Sequence, residues 1–207
     1  MTPMPRKFLE LTVTPAVLRA QEQAYGRARP VTGAVTEPLG PHEREFIAAR
    51  DSFYLATVTE SGWPYVQHRG GPRGFLRVLG PTTLAFADYT GNRQLLSTGS
   101  VAASGRVALF LMDYPNQSRL KLLGHARSVP AAADPALVEQ VAAPAQRSLV
   151  ERVFIIEMVA FDWNCPKYIT PRFTADEIED LVAPHTHRIA ELEAQLAKRP
   201  AGSGKED

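Results

Sequence analysis

The sequence predicts a small antiparallel β-barrel with flanking helices, mainly β in character. Three observations carry that expectation. Short runs rich in β-branched and aromatic residues recur between residues 53 and 161. Most are joined by tight turns, which connect antiparallel strands, whereas parallel strands need long crossovers. Helical patterns are confined to the two ends and to insertions at 91–101 and 131–143. Closing such a sheet into a barrel removes its vulnerable edges.

Residues 1–40 read as a strap over the main domain or a partner subunit. Within it Thr14-Pro15 opens a helix towards Tyr25, with proline at the first helical position. Arg29-Pro30, Gly33, Pro38 and Gly40 interrupt the chain beyond Tyr25. Pro41 begins a second short helix, with Glu43, Phe46, Ile47 and Ala49 at helical spacings. Phe53–Thr59 and Pro64–Arg69 form a hairpin about the turn Glu60–Trp63. Gly70–Gly74 is a loop, Phe75–Leu79 a third strand, Gly80–Thr82 a turn and Thr83–Asp88 a fourth strand. Gly91–Val101 is a short helix, followed by strands Arg106–Met112 and Arg119–Val129 about the turn Asp113–Asn116. Ala131–Ala143, Ala-rich with Asp134-Pro135 near its start, is a helix, and Arg152–Phe161 a seventh strand. Pro184–Lys198 is a last helix with Ile189, Leu192 and Leu196 on one face. Pro200–Asp207 is a frayed polar tail. The chain therefore divides into a strap (1–40), a barrel (41–170) and a C-terminal helical extension (171–207).

Composition bounds the function. Of 207 residues 44% are hydrophobic, enough for a packed core, and the net charge of +1 lacks the basic excess of a nucleic-acid binder. The single cysteine, Cys165, allows no intrachain disulfide and no cysteine zinc cluster, and no metal site is expected. No N-terminal apolar run reads as a signal peptide, and no stretch approaches the roughly 20 apolar residues of a membrane span. The expectation is a cytoplasmic protein without membrane contact.

Four segments carry candidate chemistry. In Gln67-His68-Arg69-Gly70-Gly71-Pro72 a polar strand end meets two glycines, which let a ligand approach the backbone, while Arg69 offers a bidentate partner for phosphate. The plain alternative is a hairpin loop with a surface arginine. In Asp88-Tyr89-Thr90-Gly91-Asn92-Arg93-Gln94 a strand runs into a helix whose N-terminus suits a phosphate. Arg93 in its first turn opposes the helix dipole, and a bound anion would compensate. The alternative is an Asn92 cap beside a solvated Arg93. Arg119 and Lys121 alternate with leucines and share a strand face with His125 and Arg127, either a basic pocket lining or a solvent face. In the turn Asp162–Ile169, Trp163 and Tyr168 either stack on a flat ring or pack the barrel rim. Together these segments point to an anionic ligand with aromatic character.

The runs Tyr65–Pro72, Leu84–Gln94, Leu109–Tyr114 and Arg119–Gly124, in that order and spacing, resemble the pyridoxamine 5′-phosphate oxidase-like family over about residues 45–170. The resemblance implies a split β-barrel binding FMN at the interface of a homodimer. It places Gln67, His68, Arg69, Gly70, Gly71, Ala87 and Asp88 along the flavin. Gly91–Gln94 matches a Gly-Ser-Arg-Lys phosphate turn, with Asn92 for serine and Gln94 for lysine, which leaves the phosphate to Arg93 and Arg69. Arg119 falls where the family often has a glutamine facing the flavin, with Lys121 next on that face. Trp163, Asn164 and Cys165 would close the ring end from the partner subunit. Asn164-Cys165-Pro166-Lys167-Tyr168 stands where pyridoxamine 5′-phosphate oxidases carry an Arg- and His-containing substrate signature, which argues against a vitamin B6 phosphate substrate.

The implied activity is an FMN-dependent oxidoreductase acting on a small molecule, with a nicotinamide donor for turnover. A cation near the N1/C2 edge, Lys121 or Arg119, would favour the reduced ring. No acid–base pair stands out, although His68 and His125 are candidate proton donors. Two alternatives stay open: a flavin-binding or redox-sensing module without turnover, and a barrel holding haem or a deazaflavin, for which His68, His125, His185 and His187 are available. Lys167 near Cys165 would lower its thiol pKa if close in space; otherwise Cys165 is a small rim residue.

Overall fold

The computed structural model describes residues 6–163 and 167–198. Two helices, α1 (Arg6–Thr12) and α2 (Pro15–Tyr25), form the N-terminal arm, and α3 (Pro41–Ala48) leads into the sheet. The strands are β1 (Ser52–Val58), β2 (Pro64–Gly70), β3 (Arg77–Val78), β4 (Thr83–Tyr89), β5 (Arg106–Asp113), β6 (Ser118–Pro130) and β7 (Val150–Trp163). Helix α4 (Leu96–Ser104) separates β4 from β5, α5 (Pro135–Val141) separates β6 from β7, and α6 (Ala175–Ala197) comes last.

All pairings are antiparallel, in the order β2-β1-β5-β6-β7-β4-β3. The sheet is rolled, and side chains show it. Strands β1 and β4 are four places apart, roughly 19 Å in a flat sheet. Yet the rings of Phe53 and Phe86 lie 5.3 Å apart, edge to face. Phe86 in turn stacks on Phe154 at 5.1 Å. The core inside the roll also holds Leu55, Leu109, Leu111, Leu120, Leu122 and Ile156. Fully burying such a side chain contributes about 1.5–3 kcal/mol. The two ends of the strand order, β2 and β3, do not pair with one another, so this is a split barrel. A second, smaller core lies outside it, where Ala85, Ala87, Val153 and Ile155 pack beneath Leu137, Val138 and Val141 of α5.

Several elements depart from expectation for local reasons. The third strand shrinks to two residues, because Gly74 takes φ +76 and Phe75 N–H bonds back to Pro72 O, which turns Phe75 and Leu76 into the core. The helix expected over 91–101 begins only at Leu96, since Arg93 and Leu95 have positive φ (62° and 54°) and Asn92 Oδ1 accepts from Gln94 N–H. Arg93 therefore precedes the helix instead of occupying its first turn, and Asn92 caps a turn, not a helix. The Ala-rich segment is split: a single 3-10 turn covers Ala131–Ala133, then Asp134 accepts from Leu137 N–H and Pro135 opens α5. The last helix starts nine residues before Pro184, at a capping box between Thr174 and Glu177. Pro184 lies inside it, so the carbonyl four residues earlier loses its helical N–H partner.

The arm is tied down at two points. Phe8 is buried on the barrel, and Leu39 is buried in its core. Between them Glu10 Oε2 accepts from Ala34 N–H at 3.0 Å, while α2 buries nothing. Among the described residues no helix is long and apolar enough to cross a membrane.

Candidate functional site

At the open side of the barrel lies a cavity of about 210 Å³. Strand alternation decides what enters it. On β2 the residues Tyr65, Gln67 and Arg69 share the inward face, and all three line the cavity. On β4 Leu84 and Phe86 point into the main core and Asp88 comes next in register at the cavity floor. The loop Gly91–Leu95 and the first residues of α4, Leu96, Ser97 and Thr98, form the far wall, and Glu151 and Arg152 of β7 complete it.

The site is held by one buried carboxylate between two guanidiniums. Asp88 Oδ1 accepts from Arg69 Nη1 at 2.6 Å, and Asp88 Oδ2 accepts from Arg152 Nη1 at 2.6 Å. Arg152 Nη2 also donates to Glu151 Oε2 at 2.8 Å. The Arg69 guanidinium sits over the Phe86 and Phe154 rings at 5.7 and 5.6 Å, and its Nε is buried with no hydrogen-bond partner among the described residues. Ser97 donates from Oγ to Gln67 Oε1 at 2.8 Å, fixing α4 to β2. With Arg93 in the wall, three guanidiniums face two carboxylates in a confined volume. Such a surplus of donors suits an anion. Tyr89 closes one side; its hydroxyl donates to Gln146 Oε1 at 3.2 Å, and burial raises the phenol above its usual range despite the opposing charge of Arg77.

Six residues expected from sequence thus meet in one cavity: Gln67, Arg69, Asp88, Asn92, Arg93 and Gln94. Others are elsewhere in the chain. His68 lies on the opposite face of β2, against Tyr54 at 5.7 Å. Ala87 is turned away from Asp88 into the core under α5. Gly71 does not present a free N–H to a ligand, since it donates to Asp51 O at 2.8 Å, and Gly70 stands opposite Ser52 in the ladder. Gly71 is required by packing, since a Cβ there would stand 2.7 Å from Phe75 Cγ.

Arg119 and Lys121 do share a face of β6, as expected, but it is the outer face. Lys121 Nζ pairs with Asp162 Oδ2 at 2.6 Å directly across the ladder, and lies 4.6 Å from the centre of the Phe8 ring. Lys121 borders a separate apolar hollow of about 480 Å³ with Tyr54, Val66 and Phe110. Arg119 lies over the Phe110 ring at 5.9 Å. Trp163 packs on α3: it stacks with His42 at 4.6 Å and donates from Nε1 to Glu43 Oε1 at 2.8 Å. Asn164 and Cys165 lie outside the described residues. Among the described residues no histidine lines the cavity, and no cluster of three or more His, Cys, Asp or Glu could hold a metal.

Sequence reading missed Arg152, Glu151, Ser97, Thr98 and the aromatic walls Tyr65 and Tyr89. Arg152 did leave a signal, a cation at the head of an otherwise apolar strand (Val153-Phe154-Ile155-Ile156).

The pyridoxamine 5′-phosphate oxidase family model matches residues 39–161, more than half of the 207-residue chain. This chain belongs to that family. The match spans α3 to the end of the barrel, and so contains every element that lines the cavity. No curated protein matches in sequence. Among solved structures, HupZ of Group A Streptococcus is 14% identical with TM-score 0.45, over 59% of this chain and 91% of that one. An FMN-binding protein from Syntrophomonas wolfei is 11% identical with TM-score 0.42, over 59% and 83%. A heme binding protein from Mycobacterium smegmatis is 17% identical with TM-score 0.43, over 58% and 51%.

Proposed function

We propose that the cavity at Arg69, Asp88 and Arg152 receives the phosphate of FMN, and that the protein is an FMN-dependent oxidoreductase acting on a small molecule. The observation that carries this reading is the convergence of three guanidiniums, Arg69, Arg93 and Arg152, with the first turn of α4 on one confined volume. Membership of the family supports a flavin. The volume, about 210 Å³, is below the roughly 300–1,000 Å³ of pockets that enclose a whole drug-sized ligand. It therefore suits the phosphate end, with the ring lying beyond it.

In this reading the residues divide the work. Arg69 and Arg152 bind the anion and are oriented by Asp88. Gln67 is positioned by Ser97, and Tyr65 and Tyr89 wall off water. The bound flavin supplies the hydride chemistry. His68, Arg119 and Lys121 lie on the outer face, so a second copy would have to bring them to the same ligand. The family resemblance, not the cavity, is what implies a homodimer with the flavin between copies.

The test is the visible spectrum of the purified protein, then titration with FMN and with riboflavin. The expected result is flavin absorbance, FMN binding at least about tenfold tighter than riboflavin, and competition by inorganic phosphate. Equal affinity for FMN and riboflavin would remove the phosphate assignment. Bleaching of bound FMN by NADH or NADPH tests the redox activity; a stable colour with both donors and with a panel of small reduced substrates would leave a binding module.

A further inference from the structure

Helix α6 extends over 23 residues, about 34 Å at the usual rise, and every side chain on it is exposed except the half-buried Glu177. Its one ion pair with the barrel among the described residues is Glu177 to Arg73 at 3.7 Å. Single exposed apolar side chains are ordinary, but a continuous row of them marks an interaction surface. Here Ile178, Val182, Ile189, Leu192 and Leu196 are 50, 49, 56, 41 and 62% exposed. Their spacing alternates four and three residues without a break once His185 is included, the 3.5-residue period of a coiled-coil seam.

We propose that α6 pairs with α6 of a second copy of this chain as a parallel, in-register two-stranded coiled coil. The residue types at the central heptad positions support that occupant, while Ile178 at d and Leu196 at a, at the two ends of the seam, do not add to it. Val182 and Ile189 are β-branched at a, and Leu192 stands at d, the combination that favours parallel dimers. His185 is the one polar core position of the seam; in register the two histidines meet each other, and out of register each would sit among aliphatic side chains. Flanking charge is self-complementary in the parallel arrangement, because Arg188 at g faces Glu193 at e of the partner helix. An antiparallel pair centred on Thr186 would set Glu179 against Glu193 instead. In the single chain Arg188 bonds Glu191 at 2.9 Å, a local pair it would exchange for Glu193 of the partner helix, while His187 on the outer side stays with Glu191 at 3.2 Å. Pro184 falls at c, away from the seam. Three heptads are short for an isolated coiled coil, so the pairing works as an extension of contact between two whole chains, where tethering raises the effective concentration. The inference rests on the two-chain contact of the proposed reading and not on the identity of the ligand.

Disulfide trapping in the full chain tests it. In a Cys165→Ser background, which removes the native thiol, Ile189→Cys and Ala194→Cys are oxidised mildly and run on a non-reducing gel. Ile189→Cys is expected to become mostly covalent dimer, and Ala194→Cys, on the outward f position, to stay monomeric. Adding Arg188→Glu should slow trapping roughly fivefold, and Arg188→Glu with Glu193→Arg should restore it. Equal trapping at 189 and 194 would overturn the proposal. So would no trapping at 189, whether sedimentation finds a dimer (the helix then docks on another surface) or a monomer.

Discussion

Arg69 and Asp88 meet at 2.6 Å across the open side of the barrel, although their strands occupy the first and sixth places of the sheet. Arg152, on the strand next to β4, grips the other oxygen of the same carboxylate. The cluster therefore ties β2 to β4 and β7, and in the proposed reading it presents two guanidiniums to an anion. Removing a partner from a buried ion pair leaves charge unmatched at a cost of several kcal/mol. Asp88→Ala is expected to lower stability by about 3 kcal/mol in urea denaturation. Inorganic phosphate should restore part of the loss by replacing the carboxylate between the arginines. Loss without any response to phosphate would separate the structural role from anion binding.

Arg152 had no place in the sequence expectation, yet it holds one wall of the cavity. Arg152→Ala is expected to weaken FMN binding about ten- to a hundredfold, the loss of one charge-assisted contact. Arg127→Ala, an exposed change outside the cavity lining, serves as the control and should leave FMN affinity unchanged. Isothermal titration distinguishes the two.

Burial raises the phenols of both Tyr89 and Tyr114. At Tyr114 hydrogen bonding to Tyr54 adds to burial and Arg172 opposes it. The native state thus keeps these protons to higher pH than the unfolded chain does. Their contribution to stability is complete below the unfolded pKa and is lost as pH rises through the native values, above about pH 10. Urea midpoints are expected to fall over that range, and less steeply in Tyr89→Phe. An unchanged slope in the variant would refute the assignment to Tyr89.

Gly71 gives a packing test. A Cβ at this position would lie 2.7 Å from Phe75 Cγ and 2.9 Å from Phe75 Cβ. Gly71→Ala is expected to destabilise the protein by about 1–3 kcal/mol through overpacking. Combining it with Phe75→Leu should cost less than the sum of the single changes. Additive losses would show that the clash is not the cause.

The fold class was legible in the sequence because period-two apolar runs and tight turns are local signals. The hairpin of β1 and β2, the strand pair β5 and β6, and the helix from Pro15 to Tyr25 all lie close to where residue patterns put them. So was half of the cavity, since Gln67, Arg69, Asp88 and Arg93 stand in recognisable runs. What the sequence did not determine was which neighbours share a face. His68 stands beside Arg69 and Ala87 beside Asp88 in the runs that point to a ligand, but alternation along a strand sends consecutive side chains in opposite directions. Nor did local pattern reveal Arg152, which lies 64 residues from Asp88 and meets it only because β4 and β7 pair. The sequence alone pointed to a small antiparallel barrel with candidate ligand-facing segments at the ends of β2 and β4. Tertiary structure selected Asp88 as the common partner of Arg69 and Arg152, because closing the sheet brings together groups that no spacing along the chain connects.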